Sequence, residues 1–171
     1  EAFTSEDEIK AHIGVTLNAI QRIEDLPCPT VALVDGVALG GGCELVLGFD
    51  VIVGLDDPSV QIGFPEVNLG LLPGYGGTGR MFKRAGLTTA LNMVLHGKPL
   101  KAKAALSSNI FYSLVNNNKE LKTEAKNIIK DFVNHDKASA PAEDVTELIV
   151  SETAKVAARF REVNTPAPFE I

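Results

Sequence analysis

Glu44 and Glu66 are the residues whose placement points most directly to chemistry. Glu44 stands in "VDGVALGGGCELVLGFD" (Val34 to Asp50), directly after Gly40, Gly41, Gly42 and Cys43, and apolar residues surround it on nearly every side. A carboxylate held in such a setting is partly desolvated, which raises its pKa and suits it to acid/base work. A plain acidic residue in a first helical turn, favoured by the helix dipole, fits the same position. Glu66 follows Phe64-Pro65. It reads either as a loop carboxylate in water or as a second acid/base group brought opposite Glu44. Two carboxylates flanking a reacting bond are a recurrent way to move water and protons. Sequence spacing alone does not show that they meet.

The three glycines allow two readings. They fit close packing of a helix against a strand, where a side chain would clash. They also fit a backbone N–H presented to a negative oxygen at a helix N-terminus, the donor that an oxyanion hole needs. Cys43 beside Glu44 is a formal nucleophile, but no nearby His supports that role, and a buried Cys is commonly inert. "GYGGTG" (Gly74 to Gly79) matches the dinucleotide fingerprint G-x-G-x-x-G. Pro73 stands where a strand should feed the turn, and no acidic residue follows until Glu120, so a tight turn before a helix is the better reading. His12, His96 and His135 are scattered, and none stands at metal spacing with another ligand. No metal site is expected.

These residues need elements to position them. Ser5-x-x-Glu8 is a capping box, and Ile9, Ile13, Leu17 and Ile20 recur at helical spacing, which predicts a helix to about Leu26. "TVALV" (Thr30 to Val34), "VIVGL" and "VQIGF" read as three buried strands, with a short helix at about Gly42 to Gly48 between the first two. Met81 to Ala85, Thr88 to Leu95 and Lys101 to Ser108 read as short helices, with Gly86 and Gly97 as stops. "IFYSLV" reads as a last strand. Longer helices are expected at about Lys119 to Asn134 and Pro141 to Val163. No internal repeat of fixed period is visible. The layout is α/β, with a core over 1–115 and a helical region over 116–171 expected to serve oligomerisation.

Composition bounds the rest. The 171 residues are 45% hydrophobic and 22% charged, as in an ordinary globular domain with one core. No apolar run is long enough for a membrane span, and the polar, acidic N-terminus is not a signal peptide. The two cysteines fit no disulfide framework. The net charge of −6 argues against a nucleic-acid binder. The segment from Val67 to Lys119 contains no Asp or Glu and carries seven positive charges, so the remainder carries −13. Such asymmetry marks an anionic ligand, an oligomer contact or simply a solvated basic face.

Taken in order, "PTVALVDGVALGGGCELVLGFDVIV" and "FPEVNLGLLPGYGGTGRMFKRAG" resemble the enoyl-CoA hydratase/isomerase (crotonase) family, close to the hydratase part of multifunctional fatty-acid oxidation enzymes. "LHGKPLKAKAAL" resembles the family segment that follows. The resemblance runs from about Pro29 to Leu106. It implies a crotonase-like superhelix of ββα units, incomplete at the N-terminus, with a helical C-terminal region. It implies an acyl-CoA thioester as substrate and addition of water across the C2=C3 double bond of a 2-enoyl-CoA. Glu44 and Glu66 would be catalytic, the first activating the water and the second giving the proton to C2. Gly41 would supply a backbone N–H to the thioester oxygen, and Gly40, Gly42, Pro65, Leu72 and Gly74 would line the substrate. No metal or redox cofactor is implied. A homotrimer or dimer of trimers in the cytoplasm or a β-oxidation organelle would be usual.

The sequence departs from that pattern in two places. Gly79 stands in "GGTGR" where the family usually has Gln. The family's "A-G-A-D" motif, which gives the second oxyanion N–H, is absent. A piece of a longer hydratase, a site completed by another chain, and a degenerate non-catalytic acyl-CoA-binding or assembly module each fit that absence. A double-bond isomerase or another acyl-CoA enolate enzyme is the alternative within the family. The presence of both carboxylates favours the hydratase, because the family's isomerases commonly keep one.

Overall fold

The computed structural model describes residues 5–132. The chain opens with α1 (Glu6–Glu24), where Ser5 caps the helix by accepting the Glu8 N–H at 3.2 Å. Glu6, Asp7 and Glu8 fill the first turn, the favourable end for negative charge. Of the apolar stripe on α1, Ile20 is buried, while Ile9 is exposed.

Two strand–strand–helix units follow. The first is β1 (Val31–Val34), β2 (Val37–Leu39) and α2 (Gly41–Val46). The second is β3 (Val51–Leu55), β4 (Gln61–Gly63), a 3₁₀ turn over Glu66–Leu69, and α3 (Gly77–His96). The chain then runs through β5 (Leu100–Lys101), α4 (Ala102–Ser107), β6 (Ser113–Val115) and α5 (Asn118–Phe132). Equivalent strands of successive units stack in parallel. One sheet has the order β1-β3-β6, and the other pairs β2 with β4 and closes with the antiparallel β5. Val31 pairs with Val51 in the first sheet, but Val37 pairs with Gln61 in the second. The two offsets differ, so the repeat leaves no fixed period in the sequence.

The strands expected at Thr30 to Val34, "VIVGL", "VQIGF" and "IFYSLV" are present, the last shortened to Ser113–Val115. β3 is buried along most of its length, as a central strand covered on both faces must be. Two strands escaped the sequence reading. β2 lies in the stretch read as a glycine approach, and β5 has only two residues. Each owes its form to pairing with β4 rather than to its own pattern. The two short helices expected on either side of Gly86 are the two halves of α3, which is interrupted at Gly86, where the backbone leaves helical geometry (φ 76°, ψ 170°).

The main core joins Ile52, Ile62, Phe64, Met81, Met93 and Phe111 between the sheets and α3. A second cluster sets Leu121 and Ile128 of α5 against Val51, Val53 and Val115 of the first sheet. Asp50 and Thr30 lock the entries of β1 and β3. The Asp50 carboxylate accepts the Thr30 N–H at 2.9 Å and its hydroxyl at 2.8 Å, and the Asp50 N–H donates to that hydroxyl at 2.9 Å. β1 and β2 stand at sheet edges, with Leu33 and Val37 exposed. The helix expected at Pro141 to Val163, and His135, lie outside the described residues.

Candidate active site

Gly40 ends β2 with a left-handed backbone (φ 56°), and its N–H donates to the Gly63 carbonyl of β4 at 3.0 Å. This reversal starts α2 at Gly41 and sends Glu44 inward. A side-chain carbon at Gly40 would lie 3.1 Å from Glu66 Oε1, so the Gly40 backbone forms one wall for that carboxylate. Gly41 is the first residue of α2, where N–H groups have no partner within the helix. The Tyr75 ring faces it. Gly42 borders open space.

Glu44 is 1% exposed. Its Oε1 accepts the Tyr75 N–H at 2.7 Å and the Gly77 N–H at 2.9 Å. The loop before α3 thus spends two backbone donors on one carboxylate oxygen. Burial raises the Glu44 pKa above the ordinary carboxylate value, opposed by the N–H groups of Gly77 and Tyr75, by the charge of Arg80 and by Gly74. Gly77 gives the loop its close approach: an added side-chain carbon there would meet Glu44 Cγ at 2.5 Å and the Phe64 ring at 2.8 Å.

Glu66 opens the 3₁₀ turn after Pro65. Burial raises its pKa, its own backbone N–H lowers it, and the charge of Glu44 raises it further. Its Oε2 is buried without a hydrogen-bond partner among the described residues. The charges of both carboxylates also bear on Cys43, whose thiol is pushed far up, chiefly by burial. A thiolate is disfavoured there, which argues against a nucleophilic cysteine.

Of the substrate-lining residues expected, Gly40 borders Glu66 and Gly74 faces Glu44. Leu72 packs against the main core, and Pro65 leads into the 3₁₀ turn. The sequence reading missed Tyr75 and Gly77 as partners of Glu44. "GYGGTG" was read as a turn before a helix, which it is, with Gly76 in a left-handed conformation ahead of α3. Its backbone donors have no signature in residue type. The basic segment is partly consumed inside the fold. Arg80 pairs with Glu24, Arg84 donates to the carbonyls of Phe49 and Asp50, Lys101 donates to the Pro58 carbonyl, and Lys103 pairs with Asp56. No group of acidic, His and Cys side chains among the described residues is arranged to hold a metal ion. No helix among them is long and apolar enough to cross a membrane.

Comparison with known proteins agrees with this architecture. The family model for enoyl-CoA hydratase/isomerase matches residues 6–165. The fatty acid oxidation complex subunit alpha of Shewanella frigidimarina is 36% identical over 160 residues, covering 88% of this chain and 22% of that protein. Crystal structures of enoyl-CoA hydratases superpose with a TM-score of 0.69, from Geobacillus kaustophilus at 25% identity and from Bacillus anthracis at 26%. Each comparison covers 77% of this chain, and respectively 49% and 50% of the other. The chain therefore spans about half the length of these solved relatives and about a fifth of the Shewanella protein. On this sequence match and shared crotonase fold, the chain belongs to the enoyl-CoA hydratase/isomerase family.

Proposed function

We propose that this chain carries the hydration centre of an enoyl-CoA hydratase, acting on 2-enoyl-CoA thioesters in fatty-acid β-oxidation. One observation carries the reading: the buried Glu44 lies close enough for its charge to act on the half-buried Glu66, and the two carboxylates have unequal surroundings. Burial raises the Glu44 pKa, but two backbone N–H donors on one oxygen and the nearby Arg80 charge oppose that rise in favour of its anion. Glu66 has an unpartnered buried oxygen and is pushed toward its protonated form by burial and by Glu44. Environments that differ in this way divide a carboxylate pair into base and acid.

In this reading Glu44 takes a proton from a water held between the two groups as the water oxygen bonds to C3. The C2=C3 electrons move toward the thioester, whose oxygen becomes negative. Gly41 N–H, which has no partner within α2, receives that charge. Glu66 delivers its proton to C2, giving the 3-hydroxyacyl thioester. Loss of one such oxyanion donor typically costs about 10²–10³ in rate. The unpartnered Glu66 oxygen supports a water position between the carboxylates. A homotrimer or dimer of trimers is the assembly this reading favours.

The test follows loss of the 2-enoyl absorbance with crotonyl-CoA and a longer enoyl-CoA. Glu44→Gln and Glu66→Gln should each abolish hydration while leaving the fold intact by circular dichroism. Hydration that survives Glu44→Gln would overturn the assignment and turn attention to double-bond isomerisation.

A further inference from the structure

Arg80 sits near the start of α3, and Glu24 is the last residue of α1. Both charges oppose the dipole of their own helix, because cations are favoured at C-termini and anions at N-termini. Helix electrostatics therefore does not account for either residue, and local conflicts of this kind tend to mark functional positions. Arg80 Nε and Nη2 instead grip the two Glu24 oxygens at 2.9 and 2.8 Å. The third nitrogen, Nη1, donates to the Tyr75 carbonyl at 2.6 Å. Tyr75 is the residue whose N–H reaches Glu44. Gly76, next in the loop, leaves room for this fork, since a side-chain carbon there would fall 2.6 Å from Nη1.

We propose that the Glu24–Arg80 pair is a positioning device: Arg80, held by Glu24, fixes the Tyr75 carbonyl and thereby aims the Tyr75 and Gly77 N–H groups at Glu44. The inference rests on the reading of Glu44 as the base. A planar guanidinium bound by both carboxylate oxygens has few orientations left. The remaining nitrogen then sets the direction of the loop carbonyl, and the adjacent N–H groups follow. The pair also tunes charge. Arg80 favours the Glu44 anion, and Glu24 partly neutralises Arg80. The other ionisable groups facing Glu44 are Cys43 on α2 and Glu66 from the 3₁₀ turn.

The test uses the full protein with Arg80→Met, Arg80→Lys and Glu24→Gln. The readouts are the ¹³C-carboxyl titration of Glu44, assigned by its loss in Glu44→Gln, and kcat and KM for crotonyl-CoA. Arg80→Met should move the Glu44 midpoint up and lower kcat by about 10²-fold with KM little changed, as expected for a misplaced reacting group. Glu24→Gln leaves a weaker, neutral partner for the guanidinium, so kcat should fall by less than in Arg80→Met. Arg80→Lys keeps the charge but loses the fork, so kcat should fall and the midpoint should rise as the Tyr75 and Gly77 N–H groups lose their aim at Glu44. A pair that only ties α1 to α3 would leave kcat and the Glu44 midpoint of Arg80→Lys at the parent values, and that result overturns the inference. A raised midpoint in both Arg80 variants of a protein that does not hydrate enoyl-CoA would support the clamp on Glu44 and overturn the hydratase reading.

Discussion

Gly77→Ala tests how closely the loop is built around Glu44. The new methyl carbon would lie 2.5 Å from Glu44 Cγ and 2.8 Å from two carbons of the Phe64 ring. Comfortable carbon–carbon contact begins at about 3.5 Å, so the deficit is about 1 Å on one side. Neither neighbour can move cheaply: Phe64 is 0% exposed and Glu44 1%. Overpacking of this kind costs about 1–3 kcal/mol. The gain from replacing a helical glycine by alanine offsets at most about 1 kcal/mol of that. A net loss of about 1–2 kcal/mol should lower the melting temperature by roughly 2–8 °C in a chain of this size. If Glu44 is the group that yields, it leaves the Gly77 N–H now 2.9 Å away, and hydration should fall by about 10²-fold. The control is Gly79→Ala, two residues further along α3, where an added carbon meets nothing within 4 Å. It should gain up to about 1 kcal/mol and keep its rate. Urea midpoints, thermal unfolding and enoyl-CoA turnover on both variants decide the matter. A Gly77→Ala protein as stable and active as its parent, or a Gly79→Ala protein equally damaged, would refute this account of the loop.

Two further outcomes concern stability. Burial raises the Glu66 pKa in the folded chain, so the folded state binds the proton more tightly than the unfolded one. The associated stability is fully present below the unfolded pKa and is lost as pH rises through the folded pKa. Glu66→Gln should therefore be more stable than the parent at neutral pH, with the advantage vanishing in acid below the ordinary carboxylate range, as urea unfolding across pH would read. An advantage that grows on acidification would contradict the burial argument. Thr30→Val removes two hydrogen bonds with Asp50, the one the hydroxyl donates to the carboxylate and the one it accepts from the Asp50 N–H. It should cost about 1–3 kcal/mol by chemical denaturation; a neutral substitution would mean that water replaces the hydroxyl.

What the sequence alone determined was whatever local chemistry controls. Ser5 fixed the start of α1, and Gly97, in its left-handed conformation, ended α3. The apolar run Val51–Leu55 could only be a covered strand. The order of glycine triplet, Glu44, Glu66 and glycine turn also marked the family, because each residue type there answers a local need of backbone or charge. Other features were decided only by tertiary structure. β2 and β5 are too short to carry a pattern, and they exist because β4 offers them hydrogen bonds. The surroundings of the carboxylates were least visible of all. The donors to Glu44 are backbone N–H groups, which every residue but proline has. Glu24 and Arg80 meet across 56 positions of chain. Sequence names the ionisable groups, but burial and the direction of backbone dipoles set their proton affinity, and both arise only when distant segments close on one another.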